Sequence, residues 1–349
     1  MRWSWSGIAL VLIGVAVSSC GSNGDGHRTA DVDAIQKLSD VAEDVPGRAD
    51  DVSRDEVDDA DHKAADADSG TDADTHPGPP TRIVAVGDLH GDLEAARSAF
   101  RVAGVIDTSD KWIGGLAVVV QTGDVLDRWY LERELMDWMQ ALQFDARDAG
   151  GDIILLAGNH EDNNLEEYYP DVDPDSCAAY ADLPDDTSLT SDSVSPECKK
   201  RAAALLPGGT YARKIARWKV AVILGDSVFV HGGLRPQYVS SPESIDDMNV
   251  RWSKFARGDA GSQVDEDIYE TMWDRSYSDD DQEPDCTSLA TVLASLGVSR
   301  MVVGHSRWGH INSACDGMVW RIDTGMSAYY NGTIEVLEIT ESTVTPLAE

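Results

Sequence analysis

The feature that most constrains the fold is a series of short apolar runs, each ending in glycine, aspartate, asparagine or histidine. Runs rich in Val, Ile and Leu are typical of buried β-strands. Amphipathic helical patterns lie between them, over Asp92–Ala103, Leu131–Leu142 and Leu289–Leu296. This alternation predicts an α/β architecture with polar residues at strand ends, where such folds usually build their sites. The runs are Arg82–Val86, Leu116–Gln121, Ile153–Ala157, Val220–Leu224, Val228–Val230 and Met301–Val303.

Two of these runs predict a hairpin, because Gly225-Asp226 lies between Val220–Leu224 and Val228–Val230. Two other segments break the alternation. Residues 162–207 are acidic and contain two cysteines, and we interpret them as an insertion beside the site. Residues 236–285 are expected to be similarly irregular.

The N-terminal part of the chain differs sharply from the rest. Residues 21–80 hold 15 Asp and 2 Glu against 5 Lys and Arg, with few large apolar side chains. Such a segment cannot bury enough surface to offset the entropy of ordering, so we predict an acidic disordered tether over 21–80. One catalytic domain is then expected over 81–349. The formal net charge of −35 argues against nucleic-acid binding, which needs clustered Lys and Arg.

Residues 1–20 have the pattern of a targeting signal. Arg2 precedes the apolar run Gly7–Val17, which is too short to span a bilayer and suits the core of a cleaved signal. The small residues before Cys20 are similar to a bacterial lipobox, which implies lipidation of Cys20. The expected location is therefore the bacterial cell envelope, with a lipid anchor in a periplasmic or outer membrane. A plain secretory signal with an incidental cysteine is the alternative.

The remaining cysteines are Cys177, Cys198, Cys286 and Cys315. An even number in an exported protein suggests disulfides, and four cysteines allow three pairings. We favour Cys177–Cys198 and Cys286–Cys315, because each bond would close a short irregular loop. Buried free thiols remain the alternative.

Five polar clusters at the ends of separate runs carry the candidate chemistry. Each cluster alone is weak, since a single strand-end Asp often caps a helix. Together they offer carboxylates, an amide and imidazoles, which suit a pair of Mn, Fe, Zn or Co ions better than Mg or Ca. The clusters are Gly87-Asp88-Leu89-His90-Gly91, Gly123-Asp124-Val125-Leu126-Asp127-Arg128, Gly158-Asn159-His160-Glu161, His231-Gly232-Gly233 and Gly304-His305.

In these clusters the chain resembles the calcineurin-like metallophosphoesterases, in their order and spacing. The Asp127-Arg128 and Asn159-His160-Glu161 forms are similar to the phosphoprotein phosphatase branch. Pro207-Gly208-Gly209, upstream of Val228–Leu234, resembles the Shewanella-like protein phosphatases. The resemblance covers about residues 82–340 and implies a sandwich of two mixed β-sheets flanked by helices, with a dimetal site at strand ends.

The resemblance also implies a role for each site residue. His160 would be the general acid that protonates the leaving oxygen, oriented by Asp127. Arg128 would bind the phosphoryl oxygens, and Arg275 is our candidate for a second such arginine, with Arg307 and Arg235 as competitors. One metal would be held by Asp88, His90 and Asp124, and the second by Asp124, Asn159, His231 and His305.

Three features depart from the family pattern or have no role in it. Trp129 follows the Asp-Arg pair where the family usually has Gly. Either its ring packs over the phosphate-binding mouth or the loop has diverged. The segment Asp162–Leu165 is more polar than its counterpart in the Shewanella-like branch, and His310 has no role that the family assigns.

The function implied is metal-dependent hydrolysis of phosphomonoesters by a hydroxide that bridges the metals, in a serine/threonine or tyrosine protein phosphatase. The substrate would be a phosphorylated protein. An envelope phosphatase or pyrophosphohydrolase for small phosphoesters or dinucleoside polyphosphates is the alternative. A tethered metal-binding module without activity is the third hypothesis, which the complete ligand set disfavours.

Overall fold

A computed structural model describes residues 80–184 and 194–349. The predicted signal and nearly all of the predicted tether lie outside these residues. Within the described part, none of the helices combines the length and the apolar character that a membrane crossing requires.

The described residues form two β-sheets and a set of helices. The strands are β1 (Arg82–Val86), β2 (Val118–Gln121), β3 (Asp152–Leu155), β4 (Ala221–Leu224), β5 (Ser227–Val230), β6 (Arg300–Val303), β7 (Asn312–Ala314), β8 (Val319–Arg321), β9 (Glu335–Thr340) and β10 (Val344–Ala348). The α-helices are α1 (Leu93–Val102), α2 (Glu132–Asp148), α3 (Asn159–Leu165), α4 (Lys199–Leu205), α5 (Ala212–Ile215), α6 (Pro242–Ala256), α7 (Glu266–Trp273) and α8 (Cys286–Leu296).

Both sheets are mixed. The first has the order β10-β9-β1-β2-β3, in which β1, β2 and β3 are parallel and β9 and β10 are antiparallel additions. The second has the order β4-β5-β6-β8-β7, in which β5, β6 and β8 are parallel. Each sheet therefore directs the carboxyl ends of three adjacent parallel strands to one edge.

An apolar layer lies between the sheets. Alternate residues of the first sheet, such as Val118 and Val120, form one buried cluster with residues of the second, such as Phe229 and Val302. The opposite faces pack against the helices in a larger cluster. Burial on both faces explains why these strands are continuous apolar runs, and the expected sandwich of two mixed sheets flanked by helices is confirmed.

Most of the predicted local elements are present. The hairpin is formed by β4 and β5, and α1, α2 and α8 lie within a few residues of the three helical patterns. Asp92 caps α1 by accepting hydrogen bonds from the N–H groups of Glu94 and Ala95. The expectation that 236–285 is irregular was wrong, because it contains α6 and α7. Their apolar residues, including the fully buried Trp252, are spaced for helices that pack on one face.

Both predicted disulfides are confirmed. Cys177 is bonded to Cys198, and Cys286 is bonded to Cys315. The first bond joins the 3₁₀ segment Pro174–Tyr180 to the short turn immediately before α4, both within the predicted insertion. The bond therefore fixes the start of α4 against the 3₁₀ segment Pro174–Tyr180.

Candidate active site

The polar clusters meet at the edge where the parallel strands of both sheets end. β1, β2 and β3 lead into the loops of Asp88 and Asp124 and into α3, and β5 and β6 lead into His231 and His305. The ten predicted site residues span 217 positions of the sequence, from Asp88 to His305. The first sheet supplies most of the carboxylates, and the second supplies two imidazoles.

The site loops adopt a backbone conformation that non-glycine residues rarely use. φ is +46° at His90, +56° at Asp124 and +66° at His305. Such conformations cost of order 1–3 kcal/mol each and persist where the surroundings fix them. Gly158 is required by close approach, because a Cβ there would lie 2.2 Å from Oδ1 of Asp124.

Asp124 lies at the centre of the site. Its Oδ1 is 3.3 Å from Nε2 of His231, and its Oδ2 is 3.8 Å from Nε2 of His90 and 3.9 Å from Nε2 of His160. Its ligand atoms form one compact group with those of His90 and His160, and a second group with those of His231 and His305. Asp124 meets His90 through Oδ2 and His231 through Oδ1, so its carboxylate can be shared by a pair of cations.

The other two predicted ligands lie against these groups. Oδ1 of Asn159 is 3.0 Å from Nε2 of His231. The Asp88 carboxylate belongs to neither compact group, and it accepts a hydrogen bond of 3.1 Å from the N–H of His305. All six predicted metal ligands are thus brought to one buried place.

The electrostatics of the site favour bound cations. Burial, with the nearby carboxylates of Asp323 and Asp124, raises the pKa of Asp88 well above its usual value. Burial and the neighbouring His160 lower the pKa of His90 to about 3, which keeps that imidazole neutral. Nε2 of His305 is buried without a hydrogen-bond partner. Crowded carboxylates, a neutral imidazole and an unpartnered ring nitrogen therefore fit divalent transition metals.

Glu161 connects the loops that carry these ligands. Its carboxylate accepts hydrogen bonds from the N–H groups of Asp124 (2.9 Å), Val125 (3.0 Å), Leu126 (3.1 Å) and Gly158 (2.7 Å). Burial and the Asp124 charge raise its pKa to about 7. Glu161 thus has a structural task in the motif, because it holds the loop after β2 against the loop after β3.

His160 and Asp127 form a hydrogen-bonded pair beside the ligands. Nδ1 of His160 is 2.7 Å from Oδ2 of Asp127, so Nε2 faces the ligand group. Burial acts to lower the pKa of His160, but the carboxylates of Asp124 and Asp127 outweigh it and raise that pKa to about 9. The imidazole is therefore held in the protonated form that a general acid requires.

A polar cavity of about 370 Å³ opens over the site and is lined by Arg128, Arg275 and Arg307. Arg128 pairs with Asp171 at 2.7 Å, and Arg275 donates to Oγ of Ser306 at 2.9 Å. The cavity lining also includes His90, Asp124, Asn159, His160 and His305.

Two competitors of Arg275 behave differently. Arg307 also lines the cavity, with its guanidinium 4.1 Å from the centre of the Tyr330 ring. Arg235 does not line it, and its guanidinium donates to Asp274 at 2.6 Å and 3.0 Å. The geometry therefore leaves Arg275 and Arg307 as candidates for the second phosphate-binding arginine.

The structure also shows where Trp129 and His310 lie. The ring of Trp129 is half-buried against Tyr130 and does not line the cavity, which favours a diverged loop. His310 is exposed and pairs with Glu335. Neither residue touches the cavity.

Sequence reasoning missed three residues of the site. Asp323 follows β8, is buried and lines the cavity, and burial raises its pKa to about 6. The sequence signal for Asp323 is its position just after a strand. That signal is hard to see because β8 is short and partly polar. Asn164 and Arg201 both contact Asp127. No pattern marks Arg201, which lies 74 residues after Asp127.

Comparison with known proteins supports the resemblance to the calcineurin-like metallophosphoesterases. Residues 81–306 match the calcineurin-like phosphoesterase family. Shewanella-like protein phosphatase 2 of Arabidopsis thaliana is 34% identical over 74% of this chain and 75% of its own length. Shewanella-like protein phosphatase 1 of Plasmodium berghei is 28% identical over 72% of this chain and 68% of its own.

A solved structure has the same fold. The cold-active protein-tyrosine phosphatase of a psychrophilic Shewanella species superposes with a TM-score of 0.62 and 21% identity, over 76% of this chain and 77% of that one. At this identity the likeness concerns the fold. From the family match, the relatives and the geometry together, the chain belongs to the calcineurin-like phosphoesterases and is a phosphatase.

Proposed function

We propose that this phosphatase hydrolyses phosphomonoesters on serine, threonine or tyrosine of proteins. The observation that carries the proposal is the paired ligand group around Asp124 with the protonated His160 beside it, beneath a cavity lined by arginines. The two relatives above are named protein phosphatases, which supports phosphorylated proteins as the substrate class. The non-catalytic alternative loses support, since every predicted ligand lies at the site.

The side chains divide the chemistry among them. Arg128 and Arg275 bind the phosphoryl oxygens, because a planar guanidinium makes strong charge-assisted hydrogen bonds to phosphate. His160 donates the proton on Nε2 to the leaving oxygen. Asp127 accepts the Nδ1–H of the same ring and so holds it in place.

Two divalent cations would be held by Asp88, His90, Asp124, Asn159, His231 and His305, and they supply a Lewis acid and an activated water when bound. The mixed oxygen and nitrogen donors favour Mn, Fe, Zn or Co. Elemental analysis of the native protein identifies which of these it carries.

The test is a substrate panel with the purified protein and Mn²⁺, before and after chelation. Peptides with phosphoserine, phosphothreonine or phosphotyrosine are compared with nucleotides, dinucleoside polyphosphates and aryl phosphates. We expect turnover of phosphopeptides that chelation abolishes and added Mn²⁺ restores. Asp124→Asn is the inactive control.

Two results would overturn the proposal. Rapid turnover of nucleotides with none of phosphopeptides would indicate the small-phosphoester alternative. Activity that survives exhaustive chelation would contradict metal dependence.

We also propose that the protein is a lipid-anchored phosphatase of the bacterial cell envelope. The support is the signal-like segment ending at Cys20 and the acidic segment 21–80. The test is fractionation: Cys20→Ser should move the protein from the membrane to the soluble fraction, and an unchanged membrane association would contradict the proposal.

A further inference from the structure

Arg201 is a cation buried beside the proton donor. It lies on α4, within the predicted insertion, and is 1% exposed. A buried charge is costly unless it is paired and hydrogen-bonded. Arg201 meets this condition with two buried carboxylates, those of Asp127 and Glu132.

The contacts of Arg201 hold the Asp127 carboxylate in one orientation. Nη2 of Arg201 donates to Oδ1 of Asp127 at 2.9 Å, while Oδ2 accepts from His160. Nη1 of Arg201 donates to Oδ1 of Asn164 at 2.7 Å, and Nδ2 of Asn164 lies 3.0 Å from each oxygen of Asp127. Arg201 therefore contacts the Asp127 carboxylate both directly and through Asn164.

The same arginine also supports the backbone of Asp127. φ of Asp127 is +65°, a strained conformation for a residue with a side chain. Its N–H donates to Oε2 of Glu132 at 3.2 Å, and Nη2 of Arg201 donates to that same oxygen at 2.8 Å. Glu132 thus joins the backbone of Asp127 to Arg201.

A disulfide bond fixes the predicted insertion close to Arg201. Arg201 lies three positions after Cys198, which is bonded to Cys177. The segment of Cys177 ends at Tyr180, whose hydroxyl donates to Oε1 of Glu132 at 3.2 Å. Both sides of the disulfide therefore converge on the partners of Arg201.

We infer that Arg201 is a positioning residue for proton donation, which acts through Asp127 to hold the His160 ring towards the leaving oxygen. The inference rests on the proposed function, because it requires His160 to be the proton donor. A structural role alone, in which Arg201 only anchors the insertion, is the competing explanation.

The dependence of the rate on the leaving group separates these explanations. A phosphate ester with an acidic phenol, such as p-nitrophenyl phosphate, needs little protonation of its leaving oxygen, whereas phenyl phosphate needs more. Because general acid catalysis contributes typically 10²–10⁴-fold, Arg201→Gln should lower kcat roughly 10²-fold on phenyl phosphate. On p-nitrophenyl phosphate the loss should be less than about 10-fold.

Arg133→Gln is the matched control. Arg133 also holds the insertion to α2, through Asp182 and the carbonyl of Ala179, but it has no contact with Asp127. We expect it to change kcat equally for both esters. Arg201→Lys keeps the charge without the fork and should recover part of the loss.

His160→Asn supplies the reference and separates the two possible failures. It should show the same leaving-group pattern, and adding Arg201→Gln to it should cause little further loss, since the two residues act as one unit. If His160→Asn shows the pattern and Arg201→Gln lowers both esters equally, this inference is wrong and the proposed function stands. If the parent hydrolyses neither these esters nor phosphopeptides, both fail. If it hydrolyses phosphopeptides only, a phosphotyrosine peptide and a phosphoserine peptide replace the two esters, because the phenol of tyrosine is the more acidic leaving group. If Arg201→Gln does not fold, Arg201→Lys and Asn164→Ala answer the same question on the same two esters.

Discussion

Nδ1 of His160 lies 2.7 Å from Oδ2 of Asp127, and both side chains are buried. The carboxylate fixes which ring nitrogen carries the hydrogen-bonded proton, and so it fixes which nitrogen faces the cavity. A histidine with one rigid partner and one open nitrogen can deliver a proton in a defined direction.

His160→Asn tests this relationship directly. We expect kcat to fall roughly 10²–10⁴-fold on esters with poor leaving groups, because the proton donor is lost. His310→Asn is the control, since that histidine is exposed and pairs only with Glu335. Steady-state kinetics with the metal concentration held constant measures both. Equal activity of His160→Asn and the parent would contradict the assigned role.

Arg275→Ala is expected to reduce stabilisation of the transition state, because one contact to the phosphoryl oxygens is lost. Hydrogen bonds to charged groups contribute about 1.5–3 kcal/mol, so kcat/KM should fall roughly 10- to 100-fold. Arg235→Ala should leave kcat/KM nearly unchanged, because Arg235 pairs with Asp274 and does not line the cavity. Arg307→Ala, measured in the same assay, shows which arginine holds the phosphate. A larger loss for Arg307→Ala would transfer the role to Arg307.

Asp162→Asn is expected to stabilise the protein at alkaline pH. Both carboxylate oxygens of Asp162 are buried without a partner, and burial raises its pKa from 3.8 to about 7. The folded state therefore retains a proton that the unfolded chain releases, so stability falls as pH rises through this window. One pKa unit corresponds to about 1.4 kcal/mol. Titration of Asp162 should therefore lower the unfolding free energy of the parent by about 2 kcal/mol between pH ~5.5 and pH ~8.

Urea unfolding at both pH values, with metal held constant, checks this prediction. The difference in unfolding free energy between Asp162→Asn and the parent should grow by that amount. Asp246→Asn, which changes an exposed carboxylate on α6, serves as the control. A constant difference between variant and parent across the two pH values would contradict the prediction.

Replacing Cys286 and Cys315 together with serine is expected to lower stability but not activity. Their bond closes a loop with a sequence separation of 29, for which the chain-entropy relation gives about 3–4 kcal/mol. Neither cysteine lines the cavity. Denaturant unfolding and kcat at a temperature well below unfolding measure the two effects. A large loss of kcat in the folded variant would show that the bond also shapes the site.

The sequence was enough to predict the parts of the fold that depend on local pattern. Arg82–Val86 was predicted as a strand with its observed bounds, because it is fully apolar inside and ends at Gly87-Asp88. The positions of most ligands were predictable for a related reason. A ligand at the end of a buried strand comes directly after an apolar run in the sequence. Both disulfide pairings were favoured because each bond would close a short loop, and the structure contains both.

Other parts depend on contacts between distant segments and carry no local signal. Arg201 reads as one more basic residue in a short helical stretch, and only folding shows that Asp127 and Glu132 surround it. Asp323 follows the three-residue strand β8, which is too short to form a clear pattern. α6 and α7 were missed because acidic residues on their exposed sides obscured the apolar spacing.

The two sheets each carry one part of the ligand set, and a buried apolar cluster packs between them. Phe229, two positions before His231, belongs to that cluster, together with residues that precede Asp124. The thickness of the cluster thus determines how far apart the two groups of ligands stand. Substitutions deep in the sandwich can therefore shift the ligands of one sheet against those of the other while every ligand is retained.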